Sequence, residues 1–282
     1  MSISKPYHRF YRRQVPNRFN GEYFSVAYLT DHEYAQQPEM CVRSFELIQE
    51  DVKKLFEYVE PADQNLNTYS MQIYNLFFRI CVEVEANFKA ILRENTYHGT
   101  GEWWNMEDYR KVNKTHHLSG YKVVFPIWSG TQNEFSPFAD WATKDKNAKL
   151  QWYDIYNSCK HNRYQYMPKA KFETMLTAFA GLFALLSAQF GHEDYAPGSI
   201  GLALNMGDTA YYKGEFGIGN YLQIVYPDDW TEDEFYDFDW SELKKLEDRF
   251  QKYDYNIIEN NNPYHAPRYR EGGTGDRHSS QP

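Results

Sequence analysis

From residue 175 to residue 190 the chain reads MLTAFAGLFALLSAQF, with no charged side chain. A run this apolar leaves water, and two destinations exist for it: a bilayer or the middle of a packed domain. It is shorter than the roughly 20 residues that a membrane crossing needs, which favours the packed domain. Phe172, Met175, Leu176, Phe179, Leu182, Phe183 and Leu186 recur at helical spacing, with Pro168 suited to the first turn and Gly191 placed as a stop. The spacing predicts a helix that is apolar on most sides and is therefore the most enclosed element of the fold.

Other helices must cover it. Over residues 68–95, Ile73, Leu76, Phe77, Ile80, Val84, Phe88 and Ile91 make a continuous stripe that Asn67 or Thr68 can cap. Over residues 38–60, Phe45, Ile48, Val52, Leu55 and Phe56 repeat at three and four until Pro61 stops the pattern. A shorter helix is expected near residues 106–112, and a further turn at 135–141. Residues 121–128 read as extended and broken by Pro126. The segment EYFSVAYLT at 22–30 reads as a strand, and the glycine-punctuated residues 197–226 as short antiparallel strands or hairpins. Asp239 with Glu242 resembles a capping box that opens a helix through about residue 250 or 253.

The expected fold is thus mainly α, a helical bundle with small β-hairpin or strand additions at the N-terminus and after residue 197. Residues 1–37 would be a basic, aromatic arm and strand, residues 38–192 the bundle, residues 193–258 a mixed β-hairpin and acidic helical extension, and residues 259–282 a disordered tail.

Net charge is −9, which argues against indiscriminate adhesion to nucleic acid or an anionic membrane but leaves room for a local basic site. Two stretches qualify. Residues 1–20 carry Arg9, Arg12 and Arg13 among Tyr7, Phe10 and Tyr11 without an acid, a mixture suited to phosphate contact and base stacking. The bland alternative is an arm lying on the protein's own acidic surface, for which residues 227–239 offer a seat. Cys41, Cys81 and Cys159 form no C-x-x-C pair, which favours a reduced cytoplasmic setting over a disulfide framework. His116 and His117 read as a surface pair rather than metal ligands, and no metal or cofactor is expected.

The second stretch is QWYDIYNSCKHNR, residues 151–163, predicted as a short helix between the two long apolar ones. Tyr153, Asn157, Lys160, His161 and Tyr164 fall on one face, and Trp152, Ile155, Tyr156 and Cys159 on or near another. Asn157, Lys160, His161 and Arg163 gather an amide, two cations and an imidazole at one helix end. Imidazole moves protons near neutral pH, and cations stabilise charge building on a phosphate, a combination that fits attack of an RNA 2′-hydroxyl on the adjacent phosphate. The same residue types also complement a helix dipole and cap its terminal carbonyls.

A helix opened by Tyr69-Ser70 and carrying Cys81, Glu83 and Glu85 precedes Pro137-Phe138 and Trp141. Then come Trp152-Tyr153, Tyr156-Asn157, Lys160-His161 and Arg163. This succession resembles the HEPN-like α-helical domains of uncharacterised prokaryotic proteins, over roughly residues 40–192. The resemblance implies a bundle, commonly a homodimer, whose active members are metal-independent endoribonucleases of toxin–antitoxin and antiviral defence systems, with an antitoxin or defence partner. Their motif is an Arg, a polar residue, four to six residues, then a His. His161 matches the histidine and Asn157 the polar residue, while Tyr156 stands where the arginine would be. Two expectations result: an RNA-directed protein with His161, Asn157, Lys160 and Arg163 as catalytic residues, or a non-catalytic module that binds nucleic acid or a nucleotide, or serves protein interaction with the cluster supporting a dimer.

Overall fold

The computed structural model describes residues 2–15, 26–99, 103–143, 145, 148–195 and 214–258. Among the described residues, seven α-helices and a four-stranded antiparallel sheet make it a mainly α protein with small strand additions. In chain order the helices are α1 (Pro38–Phe56), α2 (Met71–Glu94), α3 (Met106–His116), α4 (Gln151–His161), α5 (Arg163–Tyr166), α6 (Phe172–Phe190) and α7 (Trp240–Leu243). The strands are β1 (Lys122–Val124), β2 (Glu134–Phe135), β3 (Glu215–Phe216) and β4 (Gln223–Val225).

Helix α6 is the axis of the core. All its residues but Glu173 and Thr177 are buried, and α1, α2, α4 and β1 pack around it. Phe45 of α1 stacks on Phe179 and Phe183 at centroid distances of 5.4 and 5.5 Å, so the stripe read from residues 38–60 meets the apolar run. Of the 18-residue window that is apolar enough to cross a membrane, 89% is buried inside the protein. Gly191 ends the helix with φ +60°, where the Tyr11 ring lies so close that a side chain would have no room. Pro168 is in a 3₁₀ turn (Met167–Lys169) before the helix rather than in its first turn. The cap of α2 is Ser70, which accepts from the Ile73 amide at 3.2 Å.

The sheet has the order β2-β1-β4-β3, with Val123 opposite Phe135 on one side and Ile224 on the other. Strands from the bundle segment and from beyond residue 193 therefore share one sheet. Of the strand read over residues 22–30, residues 22–25 lie outside the described residues and Ala27–Thr30 form a 3₁₀ turn instead. Expected hairpins over 197–213 and the tail at 259–282 also lie outside them. The helix expected from Asp239 is correctly capped, the carboxylate accepting from Ser241 N at 2.8 Å, but it ends at Leu243.

The N-terminal arm is built into the core. Ile3 and Gln14 each bridge to Tyr236, and Tyr7 to Gln251. The acidic segment is indeed the arm's seat, but backbone hydrogen bonds hold it there: Val15 N donates to Tyr236 O at 2.9 Å and Asp237 N to Ile3 O at 2.8 Å. Phe10 is buried against the His116 ring at 4.4 Å. The histidine pair is not a surface pair. His116 is enclosed, with Nε2 2.9 Å from Arg9 O, and burial pushes its imidazole down to about 3. His117 sits on Trp230 at 3.9 Å between Asp229 and Glu234.

Candidate functional site

The two basic, aromatic stretches have opposite fates. Arg9 is 1% exposed; its guanidinium donates to Glu94 Oε1 at 2.7 Å, Gln189 Oε1 at 2.9 Å and Gln36 O at 2.7 Å. Arg12 is also buried, donating to the carbonyls of Thr115 and Glu234 at 3.0 Å each and packing over Trp230. Neither can reach an external phosphate, which corrects the reading of the arm as a nucleic-acid surface: its cations satisfy carbonyls and a carboxylate of the fold itself. Arg13 is exposed, with its guanidinium 5.9 Å from the Tyr226 ring centroid.

The central helix stays at the surface because only one of its faces is apolar. Trp152, Tyr156 and Cys159 are buried, and the Trp152 indole donates to Pro137 O at 2.8 Å. Helix α4 ends at His161, earlier than the residue 163 expected. Asn162 takes non-helical dihedrals (φ −146°, ψ 83°) and its side chain caps α5 by accepting from Gln165 N. The break divides the predicted cluster between two helices.

His161 is exposed and has no hydrogen-bond or ion-pair partner among the described residues. Arg163 is exposed too, lying 5.1 Å from the Tyr74 ring centroid and 3.1 Å from Met71 Sδ. Lys160 instead folds back: Nζ lies 4.0 Å from the Tyr156 ring centroid and donates to Glu85 Oε1 at 3.2 Å. Asn157 is half-buried and lines a cleft with Lys160; His161 and Arg163 stand outside it.

That cleft, about 480 Å³, opens between α2, the start of α3, the turn at Trp141 and the outer face of α4. Its polar end is organised by Glu85, which reaches across from α2. The Tyr153 hydroxyl donates to Glu85 Oε1 at 2.7 Å, and Lys89 Nζ stands 3.6 Å from Oε2. Burial raises the Glu85 carboxyl, but the Tyr153 and Lys160 donors outweigh it and hold the group below its ordinary value. Burial, reinforced by this carboxylate, pushes the Tyr153 and Tyr156 hydroxyls up, so both remain protonated donors at neutral pH. Burial likewise pushes the Cys81 and Cys159 thiols up, which removes them as thiolates. No cluster of three or more metal-ligating side chains occurs among the described residues.

In the sequence Glu85 lies beside the stripe of residues 68–95, where it could reach toward a neighbouring helix, with solvation or local pairing to Lys89 at i+4 the ordinary expectation. It makes that pair and also joins α2 to α4. Tyr153 was assigned to the polar face; it is buried, and its ring packs 5.4 Å from Tyr156. Comparison with protein-family models, with curated proteins and with solved structures finds no match for this chain.

Proposed function

We propose that this chain is an RNA-directed protein of the HEPN-like kind, which engages a single strand along the α4–α5 rim and cuts it through His161 without a metal. The observation that carries this reading is the rim itself. From Ile155 to Phe172 there is no acid, while Lys160, His161, Arg163, Lys169 and Lys171 alternate with aromatic side chains. Tyr164 is 98% exposed, a free ring beside exposed cations. Cations that track a backbone next to an open aromatic face suit a single strand. An imidazole with both nitrogens uncommitted can accept a 2′-hydroxyl proton or return one to the leaving oxygen. A homodimer, as the resemblance implies, would bring two such rims together in a toxin–antitoxin or defence setting.

A second reading has its own observation. Tyr156, in the arginine's place, is buried against Phe78, and Lys160 is bound to Glu85, so two positions that would neutralise a phosphate in the transition state do not. In that case the rim binds RNA or a nucleotide without cutting it.

His161→Ala separates the two. Under the first reading, cleavage of single-stranded RNA in the presence of a chelator falls by about two orders of magnitude or more, as expected for loss of a general acid or base, with the thermal midpoint unchanged. A wild-type chain that binds RNA but never cleaves it, with or without added metal, establishes the second.

A further inference from the structure

The cleft beside the rim has unused recognition capacity. Its walls are aromatic and held in place. Trp141 is buried and stacked on Phe138 at 5.1 Å, while Trp104 packs on Tyr97 at 5.4 Å. The backbone at Gly99 (φ +70°) passes so close to the Trp104 indole that a β-carbon there would collide with it. Met106 and Leu150 extend the apolar floor. The opposite end carries hydrogen-bonding groups only partly occupied. A carboxylate offers about four acceptor positions. Tyr153 and Lys160 use two on Oε1 of Glu85, the Tyr156 hydroxyl also faces the carboxylate, and Lys89 stands 3.6 Å from Oε2, beyond hydrogen-bond reach, which leaves about one position open. The Asn157 amide, both donor and acceptor, has no hydrogen-bond partner among the described residues.

A flat ring with a hydrogen-bonding edge fits this chemistry: the ring lies between indole and aliphatic walls, and its edge meets an amide and a carboxylate. A cavity of about 480 Å³ is within the usual range for a ligand of this size. Asn157 and Lys160 lie both in the cleft and on the rim, so a nucleotide of a strand lying along the rim can turn its base inward. We propose that the cleft receives one nucleobase and selects bases with an exocyclic amino group, adenine, cytosine or guanine, over uracil. Glu85 is the selecting group. Its carboxylate accepts from an exocyclic amino group, whereas uracil offers it only N3–H, flanked by two carbonyl oxygens that repel it. Asn157 adds an amide that can pair with either kind of edge. The choice of a base over other flat rings rests on the RNA reading of the rim.

The test uses the full chain. Adenosine, cytidine and uridine 5′-monophosphates are titrated while tryptophan fluorescence is followed, and A- and U-oligoribonucleotides are titrated in parallel. Adenosine and cytidine monophosphates should bind roughly tenfold tighter than uridine monophosphate, in keeping with the discrimination of a single good base contact. Asn157→Ala should weaken all three, and Trp104→Ala should weaken them by a further roughly tenfold through loss of stacking. Glu85→Gln should erase the preference, because its amide can donate to uracil as readily as it accepts from an amino group. Asn157→Ala and Trp104→Ala leave the Glu85–Lys160 pair intact and so carry the test even where Glu85→Gln loosens the fold. Equal binding of the three nucleotides by the wild type, or nucleotide binding indifferent to Asn157 and Trp104, overturns the proposal. An A-over-U oligonucleotide preference that survives both substitutions also overturns it, while leaving the rim standing. Selective nucleotide binding with no oligonucleotide binding does the reverse: the base site stands, with free nucleotides as its source, and the rim reading falls.

Discussion

The arm and the rim are the same kind of sequence used in opposite ways. Each is acid-free and mixes arginine or lysine with tyrosine and phenylalanine. In the arm, Arg9 and Arg12 are enclosed and engaged by Glu94, Gln189 and backbone carbonyls, with only Arg12 Nε of the two guanidinium groups left without an acceptor among the described residues. In the rim, Arg163 and His161 stand in solvent at the junction of α4 and α5. The difference lies in what faces them. Carbonyls at the end of α3 and in the segment before α7 lose their donor without Arg12, whereas Arg163 touches only the Tyr74 ring and Met71 Sδ and meets no carboxylate or carbonyl among the described residues. Basic, aromatic composition therefore says that a segment needs acceptors and apolar faces; it does not say whether these come from the protein or from a ligand.

The largest effect that can break this comparison is at Arg9. Arg9→Ala leaves Glu94, whose side chain is 9% exposed, buried without its partner, and should cost about 3–5 kcal/mol in urea unfolding. Arg163→Ala should stay within about 0.5 kcal/mol. Similar losses at the two positions would erase the distinction. For the same reason, deleting residues 1–20 should unfold the domain rather than merely weaken binding.

A pH effect of intermediate size comes from His116, which ties the arm to α3. Burial holds its folded value at about 3 against an ordinary 6.5, so between those pH values the unfolded chain carries the extra proton. Stability is full above pH 6.5 and falls as the solution is acidified, by about 1.4 kcal/mol per pH unit inside that window, until pH reaches about 3. Carboxylates titrate there as well, so the measured quantity is the difference between wild type and His116→Gln. A difference that does not vary from pH 7 to pH 5 would show that the arm is not locked by a neutral imidazole.

The smallest effect sharpens the other side. Arg163→Ala should lower RNA affinity without altering the thermal midpoint, and should reduce the slope of log affinity against log salt by about 0.7, the share of one phosphate on a single strand. An unchanged slope would mean that the rim makes no phosphate contact there.

Much of the framework was legible in advance because periodicity and burial are the same fact seen twice. The stripes over residues 38–60 and 68–95 predicted α1 and α2 to within a few residues, and the charge-free run at 175–190 predicted the enclosed axis α6. Helix ends were less legible. Asp239 announced α7, but no pattern showed that it would stop at Leu243, since no Gly or Pro follows it to mark an end. At the site, the exposed His161 and Arg163 could be picked out by type. Glu85 was legible as a carboxylate that could reach a neighbouring helix, but its partners Tyr153 and Lys160, 68 and 75 residues away, were not.

By itself the sequence determined which segments had to leave water and which helix would lie at the centre, because hydrophobic spacing along one helix is a local property. Only the tertiary structure decided which charges were consumed internally and which remained for a ligand. Pairing a charge requires a partner brought within about 3–4 Å, and that distance is set by how whole elements pack. Arg9 and Arg163 differ in this alone.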